Sequence, residues 1–117
     1  MTPEQIAALT AGPETDVLVA EHLPQEWQER LGLFKRNDVT KFLGWPKWSP
    51  STDLNAAHEM EAALPEALRV EYIQRLNWFV GEHTETPWLT VHASALDRVK
   101  AFLTVMQQAN LDAPPPA

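Results

Sequence analysis

Apolar residues recur along this chain at helical spacing, and proline or glycine interrupts them at short intervals. Thr2-Pro3-Glu4-Gln5 reads as an N-cap, a proline at N1 and a glutamine at N3, a capping box that opens a short helix. Gly12 ends that helix, and Pro13 opens a second one running to about Leu23, just before Pro24. Trp27, Leu31 and Phe34 fall at i, i+4 and i+7, which predicts a helix over Gln25 to Phe34. Asn37-Asp38 breaks or recaps the chain, after which Val39, Phe42 and Leu43 predict one further helical turn. Gly44 to Pro50 reads as a stiff loop.

The second half is patterned in the same way. Asp53 or Thr52 caps a helix reaching Leu64, with Ala57, Met60 and Leu64 as its core stripe. Pro65 restarts the chain. From Glu66 to Val80 the positions Leu68, Tyr72, Ile73, Leu76, Phe79 and Val80 keep helical spacing, and Glu71 and Arg75 stand at i, i+4 as a predicted ion pair. Gly81 to Pro87 is a polar turn, and Trp88 to Val91 is the best strand candidate. Ser94 caps a last helix with Leu96, Val99, Phe102, Leu103 and Met106 on one face, and Ala113 to Ala117 is a proline-rich tail expected to be disordered. The pattern predicts a helix-dominated α+β fold: four to six helices packed with at most one small β-sheet or hairpin, α/β/α sandwich-like. Residues 1–112 form one globular domain, and residues 113–117 lie outside it.

Composition narrows the function. With 44% hydrophobic and 21% charged residues the 117-residue chain has the make-up of a water-soluble domain. No apolar run approaches the roughly 18 residues of a membrane span. The start of the chain lacks the basic and apolar regions of a signal peptide, so a cytoplasmic protein with no membrane partner is expected. The absence of cysteine excludes disulfides, thiolate metal sites and a cysteine nucleophile. The net charge of −7 is unevenly spread. Arg30, Lys35, Arg36, Lys41 and Lys47 face Asp38 alone, a local +4, and the rest of the chain carries −11. Overall acidity argues against direct binding of a nucleic-acid duplex, which wants a broad basic face. The island suits a compact anion, or it simply keeps a loop-rich segment soluble.

Two stretches carry a family likeness. Thr2, Glu4, Ile6 and Leu9, followed by Pro13, Glu14, Asp16, Leu18, Val19, Ala20 and Glu21, fill a T-x-E-x-I-x-x-L and P-E-x-D-x-L-V-A-E pattern. Ser49 to Asp53 (S-P-S-T-D) leads into Asp-Leu-Asn-Ala-Ala-His-Glu, and Ala93 to Leu103 gives a weaker third match. Together these resemble small phage and prophage proteins described as having a phage ABA sandwich domain, across about half the chain. The resemblance implies a sandwich built on a small sheet, a phage or prophage origin and expression in a bacterial cytoplasm. Phage accessory genes of this size often encode inhibitors of host defence, an analogy rather than a chemical argument.

Motifs for catalysis are missing. There is no G-x-S-x-G elbow, P-loop or G-x-G-x-x-G, and the four glycines all read as helix stops or turns. His58-Glu59 matches the start of a zincin motif, but Ala62 stands where the second histidine belongs. His58 and Glu61 would need a third metal ligand from elsewhere. No enzyme, no metal and no cofactor are expected. Trp45 and Trp48, two of five tryptophans, sit beside a helix N-terminus. There they can stack a base while Lys47 and Arg36 meet a phosphate and Ser51 and Thr52 complete the cradle. The same tryptophans serve equally as a seal on the core edge, and Asp53 at the N-cap would itself repel a phosphate.

Two functions follow from this reading. The first is a counter-defence protein, a homo-oligomer, that sequesters a small nucleotide-type immune signal. The second is an acidic inhibitor that binds a host defence protein, in the manner of an anti-CRISPR protein, with a virion accessory role as a third possibility.

Overall fold

The structure, a computed structural model, describes residues 1–35, 38–44, 47–80 and 93–112. The predicted strand at Trp88 to Val91 and the predicted tail at Ala113 to Ala117 lie outside these residues. Six α-helices and one two-stranded antiparallel sheet make up the described fold: α1 (Pro3–Ala7), α2 (Pro13–His22), α3 (Gln25–Leu31), β1 (Phe34–Lys35), β2 (Asp38–Phe42), α4 (Leu54–Ala62), α5 (Arg69–Phe79) and α6 (Ala95–Asp112), with a 3-10 turn over Glu66–Leu68. The helix-dominated α+β architecture is the one the hydrophobic pattern predicts.

Local chemistry accounts for most of the boundaries. The capping box at α1 is complete: the Thr2 hydroxyl accepts from the Gln5 N–H, and the Gln5 side chain accepts from the Thr2 N–H. Asp53 accepts from the Asn55 N–H at 3.0 Å and caps α4. Ser94 does the same for α6 through the Asp97 N–H at 3.1 Å. Gln28, buried on α3, donates to the carbonyls of Ala20 and Leu23 at 2.9 and 3.1 Å, closing the C-terminal end of α2. A buried amide with both donors used in this way fixes the α2–α3 corner.

α3 is shorter than the spacing of Trp27, Leu31 and Phe34 predicts. Gly32 takes a left-handed φ of 65° at the C-cap, and its N–H bonds back to Gln28 and Glu29, which stops the helix before Phe34. Phe34 instead starts β1, paired with Phe42 across the hairpin, their rings 5.7 Å apart. The helical turn expected at Val39 to Leu43 is therefore strand β2. Cross-strand aromatic contact of this kind stabilises a short hairpin that propensity alone would not form.

α6 is the centre of the molecule. α1, α2, α4 and α5 all pack against it. Val99, Ala101, Phe102, Leu103, Val105 and Met106 are all buried, so the helix is covered on nearly every side. The other helices contribute one stripe each: Ile6, Val19, Ala57 with Met60, and Tyr72 with Leu76. Among the described residues no helix is long and apolar enough to cross a membrane.

Candidate functional site

Of the six residues expected to form a ligand cradle, Trp45 and Arg36 lie outside the described residues. The other four are not equivalent. Trp48 is only 6% exposed and belongs to the core cluster, packed with Leu33 beside Gly44. Its indole Nε1 is buried and has no hydrogen-bond partner among the described residues. A ring so placed cannot stack on a base, and it serves as the core-edge seal. The approach is close: a methyl group on Gly44 would stand 2.7 Å from Leu33 Cδ2 and 3.2 Å from Trp48 Cβ.

Ser51 is also committed inward. Its N–H donates to the Asp16 carboxylate at 2.9 Å, and its hydroxyl accepts from the Gly12 N–H at 3.0 Å. Both bonds tie the loop before α4 to the start of α2, more than thirty residues earlier in the chain. Asp16 is 1% exposed, and burial pushes its carboxyl above the ordinary value, against the Ser51 hydrogen bonds, which pull it down. Lys47 and Thr52 are exposed, and the Thr52 hydroxyl donates to the Ser49 carbonyl at 3.4 Å. Asp53 accepts from the Asn55 N–H in the first turn of α4. Among the described residues, Trp48, Ser51 and Asp53 thus do structural work rather than lining a cradle.

The described residues of the basic island lie on a solvated surface. Lys35, Lys41 and Lys47 are exposed, and Arg30 pairs with Glu26 at 3.2 Å while lying over the Trp27 ring at 4.6 Å. Exposed pairs of this kind add little to stability.

A polar cluster that spacing could not reveal joins α4, α5 and α6. Glu61 accepts two hydrogen bonds from Arg98 Nη1, at 3.1 and 2.9 Å, and a third from the Tyr72 hydroxyl. Arg98 Nε donates to the Ala93 carbonyl at 3.1 Å, and His58 Nε2 stands 4.0 Å from Glu61. Burial, and then the Glu61 carboxylate, raise the Tyr72 pKa far above that of an ordinary phenol. The Glu61 oxygens are thus engaged by Arg98 and Tyr72, and among the described residues no three His, Cys, Asp or Glu side chains gather as a metal site would require. The cluster is a three-helix tie, with Tyr72 sealed from substrate.

The outer face of α5 is of a different kind. Its inner face buries Tyr72 and Leu76 against α6, while Val70 is 69%, Ile73 55% and Trp78 57% exposed. Ile73, expected in the core stripe, points outward. Phe79 braces the Trp78 ring edge-on at 4.9 Å. Ala67, Val70, Glu71, Gln74, Arg75 and Trp78 line an open groove of about 570 Å³ along this face. The expected Glu71–Arg75 ion pair is absent, and neither side chain has a partner among the described residues. Sequence reasoning missed this face. The signal was there, in Val70 and Trp78 at i, i+8 on the side opposite the core stripe.

Compared with family models, with curated proteins and with solved structures, the chain finds no match. The likeness to the phage ABA sandwich domain remains a likeness of motifs.

Proposed function

We propose that the chain is a non-catalytic protein-binding module whose docking surface is the outer face of α5. The observation that carries this reading is the exposure of Val70, Ile73 and Trp78 on a helix already anchored by its opposite face. Large apolar side chains gathered on one exposed face mark interaction surfaces, and tryptophan is the side chain most often found at their energetic centre. Tight internal use of Trp48 and Ser51 favours this reading over sequestration of a small anion. The resemblance to small phage proteins supports a phage or prophage origin and action in the bacterial cytoplasm.

A photocrosslinking residue at Gln74, in the groove, and at exposed Glu14 on α2 tests the reading in bacterial cells. Position 74 should give discrete protein adducts that disappear when Val70→Glu is added, and position 14 should give none of them. Absence of adducts at 74, or the same adducts from both positions, would overturn it.

A further inference from the structure

We infer that the protein seated on this face is a second copy of the chain, in an antiparallel α5–α5 dimer about a two-fold axis passing close to Gln74. The inference rests on the docking reading above and adds the identity of the partner.

The face is complementary to itself in both shape and charge. At about 100° per residue, Val70, Gln74 and Trp78 run along the centre of the exposed side, Glu71 and Arg75 along one flank, and Ile73 along the other. Trp78 is a large knob at one end of the groove, and Ala67 and Val70 are the small residues at the other, about 12 Å away along the helix axis. A two-fold axis perpendicular to the helix near Gln74 swaps these ends. Trp78 of each copy then lies in the Ala67–Val70 end of the other, which is the reciprocal contact an isologous interface demands.

The same operation keeps each flank facing its own counterpart. Glu71 of one copy meets Arg75 of the other, and Arg75 meets Glu71, so both charges, unpartnered among the described residues, acquire a partner. On the opposite flank, Ile73 meets Ile73. A parallel two-fold pairing would instead set Trp78 against Trp78 and lay the charged flank of each copy against the Ile73 flank of the other. An unrelated partner would gain nothing from this internal symmetry; a second copy uses all of it. A contact made by one eleven-residue helix is small, so the dimer should form in the micromolar range rather than as an obligate pair.

Sedimentation of the purified full chain from low to high micromolar concentration tests the inference, with circular dichroism confirming that each variant is folded. The wild type should pass from monomer to dimer. Glu71→Arg alone and Arg75→Glu alone should each weaken the dimer about tenfold by opposing like charges, and the double exchange E71R/R75E should restore it. Val70→Glu should abolish it. A wild type that stays monomeric throughout overturns the dimer, and adducts at position 74 with a different protein would then leave the docking reading standing. A dimer indifferent to the Val70, Glu71 and Arg75 variants places the interface elsewhere and overturns the inference too. Failure of the docking reading itself shows separately, as the absence of adducts at position 74.

Discussion

Trp48 and Trp78 are the same residue in two opposite situations. Trp48 follows a glycine on which a methyl group would crowd Leu33, and it precedes a serine tied to a buried aspartate. Trp78 stands outward from the end of a helix, braced among the described residues by the Phe79 ring. In the first region, the Ser51 N–H and hydroxyl and the Asp53 cap of α4 already have partners inside the chain. In the second, apolar surface and two opposite charges remain without one among the described residues. Aromatic richness beside a helix N-terminus is therefore a poor guide to a binding site. What separates a site from a seal is whether the neighbouring groups have been used up by the fold.

The largest expected contrast comes from truncating each ring. Trp48→Ala should cost about 3–5 kcal/mol of unfolding free energy, the range for a buried aromatic, whereas Trp78→Ala should change it by less than about 0.5 kcal/mol at monomer concentrations. Urea unfolding of the two variants checks this, and equal losses would erase the distinction between the regions. Gly44→Ala comes next. Its methyl group must displace the Leu33 side chain in the core, an overpacking cost of about 1–3 kcal/mol that the same urea experiment measures.

A smaller effect sharpens the description of the committed region. Because burial raises the Asp16 pKa above 3.8, the native state holds that proton more tightly than the unfolded chain does. The stabilisation this gives is complete below pH 3.8 and is lost as pH climbs through the raised native value. Unfolding free energy of the wild type, measured relative to Asp16→Asn, should therefore decline from about pH 4 to neutrality. A difference that stays flat or grows with pH would mean that the Ser51 hydrogen bonds, not burial, dominate.

Much of the helical framework was legible because its signals are local. Thr2 with Gln5, Pro13, Asp53 and Ser94 each act within a few residues of themselves, and the structure uses them as read. The Ala57, Met60 and Leu64 stripe and the Val99 to Met106 face were equally plain. The hairpin was not, since Phe34 sits where a helical i+7 residue would sit. Only the left-handed turn at Gly32 and the partner Phe42 convert it to strand. The inward commitment of Ser51 is hidden for a similar reason. Ser51 meets Asp16 across 35 residues of sequence, and no spacing rule records that. Glu61 meets Arg98 across 37. Ile73 counted with the core because it keeps helical spacing with Leu76 and Val80, yet the core stripe of α5 is narrower, centred on Tyr72 and Leu76.

The contrast between the two regions is tested most directly by fluorine NMR of the chain labelled with 5-fluorotryptophan, the resonances assigned by Trp48→Phe and Trp78→Phe. The Trp78 signal should respond to solvent isotope in dilute solution and shift as concentration rises and the dimer forms. The Trp48 signal should do neither, and it should stay in place when nucleotides are added. A Trp78 signal unmoved by concentration, with a Trp48 signal that shifts on adding a nucleotide, would reverse the two roles.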